Sequence, residues 1–126
     1  MCVNNKYRSQ VSLEVRNQYI LFRFNGEDSL KDSIYCWTQV GEQCRKLNYK
    51  KALIVENLRG GLNTSEAYIL TMQLPKLIGD IKTAFVDLQI DNYHENSFGE
   101  TVAINHGINT KVFMDTLQAE KWLLQD

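Results

Sequence analysis

The chain has 126 residues, 44% of them hydrophobic and 23% charged, which is ordinary globular composition at a length that fits one domain. With 14 basic and 15 acidic residues the formal net charge is −1, which excludes a whole-domain basic field of the kind that holds nucleic acid. The three cysteines, Cys2, Cys36 and Cys44, are odd in number and lack CxxC spacing, which argues against a disulfide framework and against a zinc site.

The opening "MCVNNKYRSQ" has no apolar segment and reads as lacking a signal peptide. No window reaches the roughly 20 apolar residues of a membrane span, so a reducing cytoplasm is the expected location and stable membrane insertion is not expected. "SQVSLEV" alternates, with Val11, Leu13 and Val15 on one side, and reads as a half-exposed strand. A short "RNQ" turn leads to "YILFRF", which places Ile20, Phe22 and Phe24 on one face and suggests a hairpin. Ser29 and Asp32 then resemble a capping box, and Leu30, Ile34, Trp37, Gly41, Cys44 and Leu47 or Asn48 recur at helical spacing. Trp37 is expected in the core, and Gly41 is expected to let this helix approach the sheet. "KALIVEN" carries an unbroken apolar run, Ala52 to Val55, as a central parallel strand does.

The next stretch, "ENLRGGLNTSEAY", has the order strand, Gly-rich loop, helix. It lacks the Lys–Ser/Thr pair of a Walker A loop and the GxGxxG of a dinucleotide fingerprint, so no nucleotide cofactor is expected. Gly60 and Gly61 are read as permitting positive φ, and Asn63 with Glu66 as N-cap and N3 of the helix. That helix, "TSEAYILTMQL", is apolar on most sides, and Pro75 is expected to end or kink it near Leu74. "KTAFVDLQ" is a further strand. A helix is expected from Asn92, with Glu95 at N3, to Gly107. "TKVFM" is a last strand, and Asp115 with Gln118 opens a last helix. The order is ββαβαβαβα: an α/β domain with an N-terminal hairpin and a small, mostly parallel sheet.

Ligands in open α/β sheets favour the carboxyl ends of parallel strands. Those ends hold Asn25 and Glu27, then Glu56, Asn57 and Arg59, then Asp87, Gln89 and Asp91, with Asp115 after the last strand. A carboxylate pair for acid–base work can be drawn from Glu56, Asp87 and Glu100, and the spacing selects none of them. His94 and His106, twelve residues apart, sit about 18 Å apart along a helix and cannot share a metal. No GxSxG elbow or kinase motif occurs. Neither a catalytic constellation nor a metal set can be assembled.

The tail "KTAFVDLQIDNYHENSFGETVAINHGINTKVFMDTLQAEKWL", together with "ENLRGGLNTSEAYILTMQLPKL", resembles bacterial SpoIIAA-like proteins. The shared pattern is an "AFVD" strand, an "FGETVAxNxG" helix, a "VFxD" strand and a closing "A-x-x-W-L" helix. The resemblance runs from about Val11 to Leu123. It implies a STAS-like domain, a fold also likened to lipid-binding Sec14-type domains, that acts without catalysis by binding partner proteins. It also implies a phosphorylated Ser at the start of the helix after the third strand, which falls at Thr64 and Ser65. "LNTSEA" departs there from the usual Asp-Ser-Ser-Gly type motif. STAS-like domains can insert a strand between the first two, whereas the tight turn here favours pairing them directly.

Two functional readings follow. The first is a non-enzymatic, regulatory protein-contact domain with an unidentified partner, or a homodimer, using Glu56, Asn57, Arg59, Thr64 and Ser65. The second is a small-molecule or lipid-binding module, with an apolar pocket under the 64–74 helix and Tyr68, Ile69 and Met72 as its pocket or interface residues.

Overall fold

In a computed structural model that describes residues 9–89 and 93–125 (side chains at 93–95, 97 and 98 excepted), the chain folds in the order read from its periodicity. Cys2, Asp91, the Asn92 cap and the side chains of His94 and Glu95 lie outside the described residues. β1 (Ser9–Val15) and β2 (Ile20–Asp28) form the antiparallel hairpin, with Leu13 opposite Phe22. Parallel strands β3 (Lys51–Gly60), β4 (Lys82–Asp87) and β5 (Thr110–Phe113) follow, and the sheet order is β1-β2-β3-β4-β5. No strand separates the first two.

Successive parallel strands step in one direction, and crossovers of fixed hand then lay their helices on one face. α1 (Leu30–Leu47), α2 (Thr64–Leu77) and α3 (Tyr93–Asn105) make that layer, in contact one with the next. Ile20, Phe22, Phe24, Ile54 and Phe85 point into it. α4 (Thr116–Leu123) returns behind the sheet, where Ala119 and Leu123 cover Leu21, Leu53, Val55, Ala84 and Val86. Both sides of β3 and β4 are therefore buried along their solid apolar runs, whereas β2 exposes Arg23 and Asn25. Among the described residues no helix is long and apolar enough to cross a membrane.

Helix capping follows the sequence closely. Ser29 Oγ accepts from the Asp32 amide at 3.1 Å and donates to its carboxylate at 2.6 Å. Asn63 and Glu66 form a reciprocal capping box, and Asp115 Oδ1 accepts from the Gln118 amide at 2.8 Å. Trp37 is core, packed edge-on to Phe24 and stacked on Phe85.

Four expectations are corrected. Val11 packs on the core, but Leu13 and Val15 are exposed, so the apolar face of β1 outruns its cover. On α1, Leu30 and Ile34 are half-buried and Leu47 is exposed, while Ser33, Cys36 and Val40 join Trp37, Gly41 and Cys44 inside. Gly41 serves a helix rather than the sheet: a Cβ there would stand 1.8 Å from the Leu77 carbonyl oxygen of α2. Pro75 does not end α2, which runs to Leu77 with the Ile78 amide still donating to Leu74 at 2.9 Å. Proline forfeits only its own donor, and the helix closes one turn later.

Candidate functional site

The residues "ENLRG", read above as the start of a loop, continue β3 through Gly60, whose φ is +91°. Gly61 is not in the positive-φ region, so a single glycine makes the bend. Extending the strand changes what its side chains do, because alternate residues face opposite sides of a sheet. Glu56 and Leu58 point under the helices and are buried. Asn57 and Arg59 point away and are exposed, and Asn57 Oδ1 accepts from Gln89 Nε2 at 2.8 Å. The expected cluster of Glu56, Asn57 and Arg59 is thus divided between two faces.

Glu56 opens onto a cavity of about 160 Å³ at the carboxyl ends of β2, β3 and β4. Trp37 from α1, Leu70 and Leu74 from α2, Phe85 from β4, Ala103 from α3 and Val112 from β5 give it apolar walls. Asp28, Glu56, Asp87, Asn96 and Glu100 supply its polar side. The two sides differ because the strands run past the hydrophobic layer at this end and carry acidic residues there.

The carboxyl groups are held in place. Glu56 and Asp87 are register partners on adjacent strands, and their side chains hydrogen-bond. Asp87 also accepts from the Gln89 amide at 2.8 Å and from Asn96 Nδ2 at 2.9 Å. Burial, then the neighbouring negative charges of Asp87 and Asp28, push the Glu56 carboxyl well above the usual carboxylate range. Asp28 is raised too, by burial first, against the lowering effect of Ser33, whose Oγ donates to it at 2.7 Å. Of the three carboxylates weighed for a pair, register selects Glu56 and Asp87. Glu100 instead accepts from the backbone N–H of Val112 at 2.9 Å.

Tyr68, Ile69 and Met72 do not line the cavity. They form an exposed stripe on the outer side of α2, whereas Ala67, Leu70, Thr71 and Leu74 face inward. Thr64 and Ser65 are exposed at the start of the helix. His106 is exposed at the end of α3, with Nδ1 2.9 Å from the Val102 carbonyl oxygen. Cys36 and Cys44 are buried thiols, pushed up to about 12 and about 11 chiefly by burial, and so are unreactive. Among the described residues, no group of three or more His, Cys, Asp or Glu side chains is arranged to hold a metal ion.

A second hollow, about 290 Å³, lies at the opposite end of the sheet between Cys44, Tyr49, Ile78 and Ile81. It is larger, but its rim pair Lys50–Asp80, 3.6 Å apart, is largely exposed, and no buried ionisable carboxyl points into it. The first cavity has convergent polar groups and apolar walls, the combination that marks ligand sites. No family model, curated protein or solved structure matches this chain.

Proposed function

We propose that this protein is a small-molecule-binding domain whose ligand occupies the cavity beneath α2. One observation carries the reading: an apolar chamber of about 160 Å³ is built at the carboxyl ends of three parallel strands, with carboxyl groups along one side. The buried thiols suit a cytoplasmic setting. Native mass spectrometry of the purified full chain tests the reading. A retained small molecule on the wild type, lost when Leu70→Trp fills the cavity, is the expected result. A wild-type chain that runs at bare mass, and whose thermal midpoint does not respond to any of a panel of small organic compounds, overturns it.

A second reading, a regulatory protein-contact domain of STAS-like type, draws support from the outer side of α2. Tyr68, Ile69 and Met72 are 48%, 44% and 37% exposed, and their spacing puts them on one stripe. Thr64 and Ser65 lie at the N-terminal end of the same helix, where a phosphate would meet partial positive charge. Tyr68→Ser with Met72→Ser should abolish a partner contact or a homodimer without emptying the cavity. An unchanged oligomeric state, and unchanged recovery of any partner identified with the wild-type chain, removes this reading.

A further inference from the structure

We propose that the cavity beneath α2 takes a small organic ammonium ion, its cationic head toward Asp28 and Glu56 and its apolar body against Trp37, Phe85 and Leu74. This rests on the small-molecule reading and names the ligand class. Size sets the first limit. An apolar cavity of about 150 Å³ accommodates benzene, so the enclosed body of a ligand here has on the order of six non-hydrogen atoms.

The lining sets the sign of the charge. Among the described residues, every ionisable side chain that lines the cavity is acidic: Asp28, Glu56, Asp87 and Glu100. A cleft of one sign with low-dielectric walls concentrates counter-charge. An anion finds no lysine, arginine or histidine among those residues.

The aromatic walls set the other half of the ligand, its apolar body. Trp37 and Phe85 stack with ring centroids 5.9 Å apart, and both line the cavity. Buried ring edges of this kind give the apolar body of a ligand a rigid surface to pack on. A bare metal ion would gain nothing from them, and the carboxyl groups are not arranged to coordinate one. An organic cation uses both walls at once. Its charge also offsets the repulsion that Asp28, Glu56 and Asp87 exert on one another.

The two tryptophans supply the readout. Trp37 lines the cavity and Trp122 lies behind the sheet, so the indole N–H signals report the site and an internal reference in one spectrum. The full-length chain is titrated at pH 7 with benzylammonium, benzyl alcohol and benzoate, which share a ring and differ in charge. Benzylammonium should shift the Trp37 signal saturably and leave that of Trp122 in place. Benzyl alcohol should bind about tenfold more weakly, and benzoate more weakly still. Asp28→Asn and Glu56→Gln, two variants in case one fails to fold, should each weaken benzylammonium about tenfold and change benzyl alcohol little. Equal binding of the ammonium and the alcohol, or carboxamide variants that bind the ammonium like wild type, overturns the ammonium assignment and leaves the pocket standing. If none of the three probes moves the Trp37 signal, the pocket reading falls with it.

Discussion

The two faces of the sheet use similar residues to different ends. Behind it, one eight-residue helix seals a dry cluster in which Ala119 and Leu123 are fully buried. In front, three longer helices cover more area, yet they leave a chamber where Trp37, Leu74 and Phe85 meet buried carboxyl groups. Burial of apolar area accounts for the first face and only part of the second. Burying the Glu56 carboxyl beside Asp87 works against stability, and a face built only for stability would have an apolar side chain there.

Truncating the two faces sharpens this contrast. Trp37→Ala should cost about 3–5 kcal/mol, because the ring contacts both Phe24 and Phe85. Leu123→Ala should cost about 2–5 kcal/mol on the sealed face. Urea denaturation midpoints measure both. The expected difference is in function: Trp37→Ala should remove ligand response, and Leu123→Ala, measured where it is still folded, should keep it. Equal loss in both variants would erase the distinction between the faces.

Gly41→Ala tests how the front layer is held together. The added methyl would collide with the Leu77 carbonyl, so a cost of about 1–3 kcal/mol is expected from displacing α1 and α2. A midpoint equal to wild type would place the helices further apart than described. Asn63→Ala should cost about 0.5–2 kcal/mol by removing the capping box of α2, with the thermal midpoint as the check.

The last prediction is a slope. In the unfolded chain Glu56 ionises near 4.3, and in the folded chain well above the usual range. Between those two values the native state binds the extra proton, so this group's contribution to stability is fully present below about pH 4.3 and is lost as pH rises through the folded value. Asp28 acts in the same direction. Glu56→Gln should match wild type closely at pH 5 and exceed it at pH 8. Parallel curves for the two proteins would show that Glu56 is not held protonated.

Much of the fold could be read before the structure because its signals are local. Ser29, Asn63 and Asp115 announce their helices through side chains that satisfy amides three residues away. The unbroken run Ala52–Val55 announces a strand covered on both sides. The site was less legible for the opposite reason. Its members come from four strands, β2 to β5, and from three helices, and no spacing in sequence encodes that meeting. "ENLRG" looked like a loop because its charged and glycine residues carry weak strand propensity, and tertiary pairing with β2 and β4 overrode it. Missing that extension hid the alternation that sends Glu56 inward and Arg59 outward. Gly41 was recognised as a close approach, but its partner, Leu77, lies 36 residues away in sequence and belongs to another helix.

The contact between Glu100 and Val112 has a consequence at high protein concentration. The Thr83 amide donates to the carbonyl of Asn109, just before β5, at 2.9 Å, so the odd-numbered residues of β5 pair inward and the Val112 amide faces the outer flank. The last strand of a sheet tends to recruit strands from neighbouring molecules through such amides. Here the carboxylate of Glu100 already occupies that amide, and an arriving chain would have to displace a charged acceptor to dock. α3 thereby gives this flank a built-in safeguard against fibrous self-association.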